Sequence, residues 1–140
     1  MSNWIKKLYW QGFVLALAAE GLGLPWGGPL ALAVCLVQAA HAVAVHPSRL
    51  ALPVQVRAVF LLLFVAGSAT PALRWVHALQ FSGVNLLLVT DYCVLARLLT
   101  LLPWNRSVPL DWALVRAVWT LPPGPGSVAE RLHIAPAGGR

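Results

Sequence analysis

Polar side chains that could do chemistry lie inside long apolar runs of this sequence. Glutamate, aspartate and histidine can bind or relay a proton, and amides can hold a ligand by hydrogen bonds. Such groups are expensive to bury, so each is a candidate functional residue. The commoner use of such residues is to form hydrogen bonds between helices and hold a bundle together. The candidates are Glu20, Gln38, His41, His77, Gln80, Asn85 and Asp91.

The fourth apolar run carries the largest group of these residues. At 100° per helical residue, Arg74, His77, Gln80, Asn85 and Asp91 fall within about 140° of one another. The rest of this run is mainly Leu, Val and Phe. The spacing predicts a helix with a polar stripe that faces a bundle interior. The stripe would either join neighbouring helices or line a ligand or proton site.

The elements that must position these residues are predicted to be four membrane-spanning helices. A helix rises about 1.5 Å per residue, so about 20 apolar residues cross the hydrocarbon core. Prolines fall between or at the edges of the runs and not in their middles, where lipid could not replace the lost hydrogen bond. The fold class is therefore all-α. The predicted spans are 8–24, 29–45, 53–70 and 73–95, within a domain of residues 1–106.

Composition supports a membrane protein over a soluble one. Apolar residues make up 59% of the 140 residues and charged residues only 10%, against about 25% charged in a typical soluble domain. The net charge of +6 does not indicate nucleic-acid binding, because the basic residues are scattered singly between apolar runs. We expect the lipid bilayer as partner, and no nucleic acid.

The loops predict an orientation. Lys6 and Lys7 precede the first run, and Arg49 and Arg57 flank the second connection, whereas the third connection carries only Arg74. Alternate loops are thus basic and nearly neutral, which predicts that both termini lie in the cytoplasm. The preference for arginine over lysine and the richness in alanine, glycine and proline suit a GC-rich bacterium, so we expect the inner membrane. Tryptophans at or near the run ends agree with this arrangement. The C-terminal basic residues are Arg97, Arg106, Arg116, Arg131 and Arg140, and the tryptophans are Trp4, Trp10, Trp26, Trp75 and Trp104.

Basic and aromatic residues after the fourth run suggest contacts with lipid headgroups. Arg97, Trp104 and Arg106 would lie at the inner headgroup level, where arginine can reach lipid phosphates. At the same depth, Asp91 is predicted to pair with Arg57 or Arg97, because pairing lowers the cost of both charges.

Residue Glu20 lies on the first run, directly after Ala19. A membrane-embedded Ala-Glu step on the first of four helices resembles the small multidrug resistance transporters. The resemblance covers this step alone, and the later runs carry none of that family's other motifs. It implies a carrier in which Glu20 binds the transported species.

Both ends of the chain leave a choice open. Lys6-Lys7 followed by Ala16-Leu17-Ala18 also fits a cleaved signal peptide, which would leave three spans. Residues 107–121 are too short and too charged for a fifth span, so we predict a cytoplasmic interfacial helix capped by Ser107. Proline and glycine then predict a flexible tail over 122–140.

No catalytic motif assigns an activity. The sequence has no glycine-rich phosphate loop, paired carboxylates, metalloprotease motif or nucleophile elbow, so we predict neither an enzyme nor a cofactor or metal. We expect an accessory or scaffold subunit that packs against other membrane proteins or its own copies. The alternative is a small carrier or lipid-binding protein that uses the intramembrane polar residues.

Overall fold

The chain is all-helical in a computed structural model that describes residues 3–136, and no strand occurs among them, as the sequence predicts. Short 3-10 turns lie at Pro71–Leu73 and Pro103–Asn105. The α-helices are α1 (Asn3–Gly21), α2 (Gly27–Val45), α3 (Leu52–Ala69), α4 (Trp75–Thr90), α5 (Val94–Thr100), α6 (Trp112–Thr120) and α7 (Val128–Arg131).

The first four helices form an up-and-down bundle. Helices α1 and α3 each pack against both α2 and α4. Glu20, near the end of α1, contacts His77 at the start of α4, and Lys7, near the start of α1, contacts Asp91 just after α4. We call the two ends of the bundle the Glu20 end and the Arg57 end, since Arg57 lies near the start of α3.

Aromatic side chains fill the centre of the bundle. The Trp10 and Phe60 rings lie 4.8 Å apart between centroids, and Phe13 lies 6.1 Å from Phe64. Trp10 is only 6% exposed, so it belongs to the core and not to an interfacial belt as its position near a run end suggested. The other four tryptophans of that predicted belt are more than half exposed: Trp4, Trp26, Trp75 and Trp104.

Two of the helices, α2 and α3, are long and apolar enough to span a membrane. Each has a mean hydropathy of 1.8, and only 22% and 33% of the respective spans are buried by the rest of the protein. Helix α1 is 19 residues long but carries Lys6, Lys7 and Glu20. Joined with the preceding 3-10 turn, α4 and α5 would form a third span, bent by 95°. The described residues thus hold two such helices, or three if that bent pair is one span.

The break after α4 differs from the single helix predicted over 73–95. Asp91 has a φ of 55°, and its N–H bonds the Leu87 carbonyl, which closes the helix with a left-handed cap. The Thr90 hydroxyl donates to the Leu86 carbonyl at 2.6 Å and accepts from the Tyr92 N–H at 3.2 Å. These local bonds replace the next helical turn, and α5 leaves in a new direction.

The C-terminal region also differs from prediction. Asp111 caps α6 by accepting the Leu114 N–H at 2.6 Å, whereas Ser107 bonds the Ile134 carbonyl. Residues predicted as a flexible tail include α7, whose first turn is closed by a capping box between Ser127 and Glu130. A small apolar cluster joins α6 to α7 and the residues after it: Leu114, Val118, Ala129 and Ile134. Residues 137–140 of the predicted tail lie outside the described residues.

Candidate functional site

The Glu20 end holds a carboxylate–imidazole pair. Glu20 Oε2 lies 3.5 Å from His77 Nδ1, joining the last turn of α1 to the first turn of α4. The Glu20 side chain is 34% exposed and that of His77 14%. Of the predicted site residues, these two are brought into direct contact.

The opposite ring nitrogen of His77 is fixed by α3. His77 Nε2 lies 3.2 Å from the Phe64 carbonyl oxygen and 3.3 Å from Ser68 Oγ. A carbonyl oxygen only accepts hydrogen bonds, so Nε2 must carry a hydrogen and donate it. The imidazole also stacks on the Phe64 ring, with centroids 4.8 Å apart and planes 7° apart. Nδ1 is therefore the nitrogen left to exchange a proton with Glu20.

Gly67 makes the room that this imidazole occupies. A Cβ on Gly67 would lie 2.6 Å from His77 Cδ2 and 2.7 Å from Nε2. Both distances are far below van der Waals contact, so any larger residue would displace the ring. Gly67 and Ser68 do not follow from the polar stripe, because the stripe lies on α4 and these two residues lie on α3. The Gly-Ser pair at the end of the third run was the available signal.

The pair can hold one shared proton beside an open cleft. With that proton on the imidazole the contact is an ion pair, although Glu20 Oε2 has no hydrogen-bond partner among the described residues. Without it, the carboxylate faces a nitrogen lone pair, which is unfavourable. A cleft of about 770 Å³ opens next to the pair, and its walls include Gly28, Arg74 and Phe81. The chemistry available here is proton binding, or binding of a cation by the carboxylate.

The remaining residues of the predicted stripe do not join this pair. Gln80 is 3% exposed and donates to the Phe60 carbonyl at 2.9 Å, which is a bond between helices. Asn85 is half-buried and donates to the Phe81 carbonyl of its own helix at 2.8 Å. Arg74 and Asp91 are exposed. Within the stripe, His77 and Gln80 in the middle contact neighbouring helices of the bundle, whereas Arg74 and Asp91 at its two ends are exposed.

The prediction that Asp91 pairs with Arg57 or Arg97 is wrong, because Asp91 pairs with Lys7. Asp91 Oδ1 lies 3.4 Å from Lys7 Nζ, on the exposed surface of the Arg57 end. Arg57 instead donates to the Pro53 carbonyl of its own helix, and Arg97 donates to carbonyls of α6 and the residue after it. Because α4 stops at Thr90, Asp91 emerges from the bundle beside the first turns of α1.

The candidates on α2 pack within the bundle. His41 Nδ1 lies 2.9 Å from the Tyr9 hydroxyl on α1, with the rings edge to face. Gln38 is fully buried, and its amide nitrogen lies 4.0 Å from Cys35 Sγ. Neither residue lines the cleft at the Glu20 end.

Two of the predicted headgroup contacts are used inside the protein. Arg97 is 3% exposed, so it does not face a headgroup layer. Arg106 Nε donates to the Leu101 carbonyl at 2.9 Å, and its Nη1 donates to the Val108 carbonyl. Trp104 remains 56% exposed and donates to Gln55 Oε1 at 3.2 Å. Across residues 3–136, no group of three histidine, cysteine or acidic side chains is placed to hold a metal ion.

Comparison of the chain with protein-family models, with curated proteins and with solved structures found no match.

Proposed function

We propose that α1 to α4 each cross the bacterial inner membrane, with both termini in the cytoplasm. The up-and-down bundle puts Lys6, Lys7, Arg49 and Arg57 at one end, and Arg74 is the arginine of the opposite end. Positive charge concentrated at one end of a membrane bundle favours that end being cytoplasmic. The exposed apolar surface of α2 and α3 fits a lipid environment.

Cysteine labelling tests this topology. In a Cys35→Ala/Cys93→Ala background, we expect a membrane-impermeant maleimide to label Thr70→Cys in intact spheroplasts. Ser48→Cys lies at the other end of the bundle and should react only after lysis. Labelling of both cysteines from the same side would overturn the four-span proposal.

We further propose that the protein is an accessory subunit that packs against a partner helix through α2. The single observation that carries this is the outward face of α2, whose centre is lined by Ala33, Val37, Ala40 and Ala44, all exposed. In lipid, helices associate by close packing of small residues and not by the hydrophobic effect. The polar residues of α2, Gln38 and His41, bond inside the bundle. A stripe of three alanines and one valine on the outside of this helix therefore suits another helix better than it suits lipid alone.

Photo-crosslinking from this face tests the accessory role. A photoreactive amino acid at Ala40 should give a discrete adduct with one partner protein or a second copy of this chain. The matched control is Leu79, which is 60% exposed on α4 and outside this face. Ala40→Leu should remove the association, because the larger side chain prevents close approach. Equal adducts from Ala40 and Leu79, or no adduct from either, would contradict the proposal.

The Glu20–His77 pair favours a second candidate function, a small carrier. A carboxylate that shares a proton and opens into a cleft can exchange that proton for an organic cation. This use would agree with the resemblance of the Ala19-Glu20 step to small multidrug transporters. The two functions differ in what they require of Glu20.

Binding of tetraphenylphosphonium distinguishes the carrier from the accessory subunit. A carrier should bind this lipophilic cation in detergent and release about one proton as it does so. Glu20→Gln should abolish both effects. Asn85→Leu is the matched control, because Asn85 bonds its own helix and does not line the cleft. Binding that survives Glu20→Gln would rule the carrier out.

A further inference from the structure

A second cleft, of about 750 Å³, opens at the Arg57 end of the bundle. The N-terminal part of α1, the connection between α2 and α3, the first turns of α3 and the C-terminal segment line it. Its polar wall includes Lys6, His46 and Arg57, and its apolar wall includes Trp10 and Val56. The lining of the cleft thus combines basic groups with apolar side chains.

Arg57 is buried in this wall without a counter-ion. It is 4% exposed, its Nη1 donates to the Pro53 carbonyl at 2.8 Å, and its Nε has no hydrogen-bond partner. The ion pairs found over residues 3–136 are Lys7–Asp91 and Glu20–His77, and neither involves Arg57. An uncompensated buried cation is costly. An anion in the cleft would remove that cost.

The positive charge of Arg57 acts on the neighbouring basic group His46. Burial lowers the pKa of His46, and the positive charges of Arg57 and Lys6 lower it further. Glu130 is the carboxylate among the residues that line the cleft, and its Oε2 accepts the Ser127 N–H at 2.8 Å in the α7 capping box. Because Glu130 already accepts a hydrogen bond at the start of α7, it does not balance the positive charges of Lys6 and Arg57.

We propose that this cleft binds a phosphate anion, presented either by the headgroup of an anionic phospholipid or by free phosphate. A guanidinium offers donors in a fixed fork that matches phosphate oxygens, and a lysine beside it adds a point charge. The apolar wall, which includes Trp10, Val56 and Leu87, would accept the glycerol and acyl part of a lipid. Of the headgroup contacts expected from sequence, Trp104 alone lines this cleft.

Native mass spectrometry of the full chain in a neutral detergent tests the site. We expect phosphatidylglycerol to bind at least about fivefold more tightly than phosphatidylcholine, because the net negative charge must face the basic wall. Arg57→Gln should weaken phosphatidylglycerol binding about tenfold, since it removes a buried charge-assisted contact. Lys6→Gln should weaken it about fivefold.

The matched control is Lys7→Gln. It makes the same charge change one residue away, but Lys7 pairs with Asp91 and does not line the cleft. We expect less than a twofold effect. If Lys7→Gln weakens binding as much as Lys6→Gln, general surface charge explains the data and the site is disproved. Should Arg57→Gln fail to fold, Lys6→Gln at the half-buried margin of the cleft still gives the comparison with Lys7→Gln.

Inorganic phosphate distinguishes the two sources of the anion. If phosphate raises the melting temperature and displaces bound phosphatidylglycerol, the site takes the lipid headgroup. If phosphate stabilises the wild type, but not Arg57→Gln, and phosphatidylglycerol does not bind, the ligand is the free anion. Equal binding of both lipids together with no stabilisation by phosphate would overturn the proposal.

Discussion

Arg97 shows how this protein accommodates a buried charge. Its guanidinium donates to the carbonyls of Val118 and Leu121, the latter at 2.6 Å, and it lies 3.9 Å above the Tyr92 ring. The Tyr92 hydroxyl in turn donates to the Trp119 carbonyl at 2.9 Å. These carbonyls end α6, where the helix dipole is negative. A cation from α5 therefore fixes α6 to the bundle.

We expect Arg97→Gln to release α6 from the bundle. The change removes two charge-assisted hydrogen bonds, each worth about 1.5–3 kcal/mol, and leaves the carbonyls of Val118 and Leu121 without donors. Limited proteolysis should then cut residues 106–126 at least about tenfold faster than in the wild type, because each 1.4 kcal/mol of opening free energy is tenfold in the open population. The circular dichroism of the bundle should change little.

Arg116→Gln is the control for this proteolysis experiment. Arg116 lies on α6 and is exposed, so its replacement should leave the cutting rate within about twofold of the wild type. Equal protection in Arg97→Gln and the wild type would show that the apolar cluster of α6 and α7 holds the segment without this arginine.

At the residue level, the sequence indicates which polar groups are expensive but not what satisfies them. Gln80, Arg97 and His77 each donate to a main-chain carbonyl of another element. Every residue supplies a carbonyl, so no side-chain pattern marks these partners in advance. The Glu20–His77 contact was equally hidden, because it depends on how the ends of α1 and α4 meet.

Helices α1 and α2 pack closely at the Glu20 end. A Cβ on Gly27, the first residue of α2, would overlap the Glu20 main chain and come within 2.9 Å of the Ala16 carbonyl oxygen. Ala16 and Ala31 are fully buried in the same core. Small residues here allow the main chains of α1 and α2 to approach, which gives the two helices more packing contact.

Gly27→Ala should lower the free energy of unfolding by about 1–3 kcal/mol, the usual cost of overpacking a filled site. Gly21→Ala is a suitable control, since nothing lies within 4 Å of a Cβ at that position at the end of α1. It should change stability by less than about 1 kcal/mol. Both values can be measured by unfolding in mixed detergent micelles. A smaller loss for Gly27→Ala than for Gly21→Ala would contradict the close packing of α1 and α2.

At the level of elements, hydropathy predicts where apolar helices lie but not where they break. Helices α2 and α3 begin and end within two residues of the predicted spans 29–45 and 53–70. Apolar residues lie on both sides of Asp91 in the run predicted over 73–95. The hydropathy of this run therefore does not reveal the 95° bend. The local sequence Thr90-Asp91-Tyr92 was the signal, since aspartate tolerates a left-handed cap better than most residues do.

The two ends of the molecule differ in charge and in how much of the chain packs over them. The C-terminal segment with α6 and α7 packs against α5, and residues of this segment line the cleft at the Arg57 end. The Glu20 end has only short connections, and its cleft is lined by α1, α2 and α4. If the basic end is cytoplasmic, the C-terminal helices α6 and α7 lie on that side. Orientation would then depend on the N-terminal lysines, which precede the first span to insert.

Moving these positive charges should therefore invert part of the population. The variant Lys6→Gln/Lys7→Gln/Leu22→Lys/Thr70→Lys removes two lysines from the Arg57 end and adds two to exposed positions at the Glu20 end. Ser48→Cys in the cysteine-free background should then react with an impermeant maleimide in intact spheroplasts, which it should not do in the parent chain.

The matched control, Lys6→Gln/Lys7→Gln alone, should invert a smaller fraction, because Arg49 and Arg57 still favour the cytoplasm. Unchanged protection of Ser48→Cys in the fourfold variant would mean that charge does not set the orientation. The topology would then have to follow from the C-terminal segment, which is too polar to cross the membrane readily.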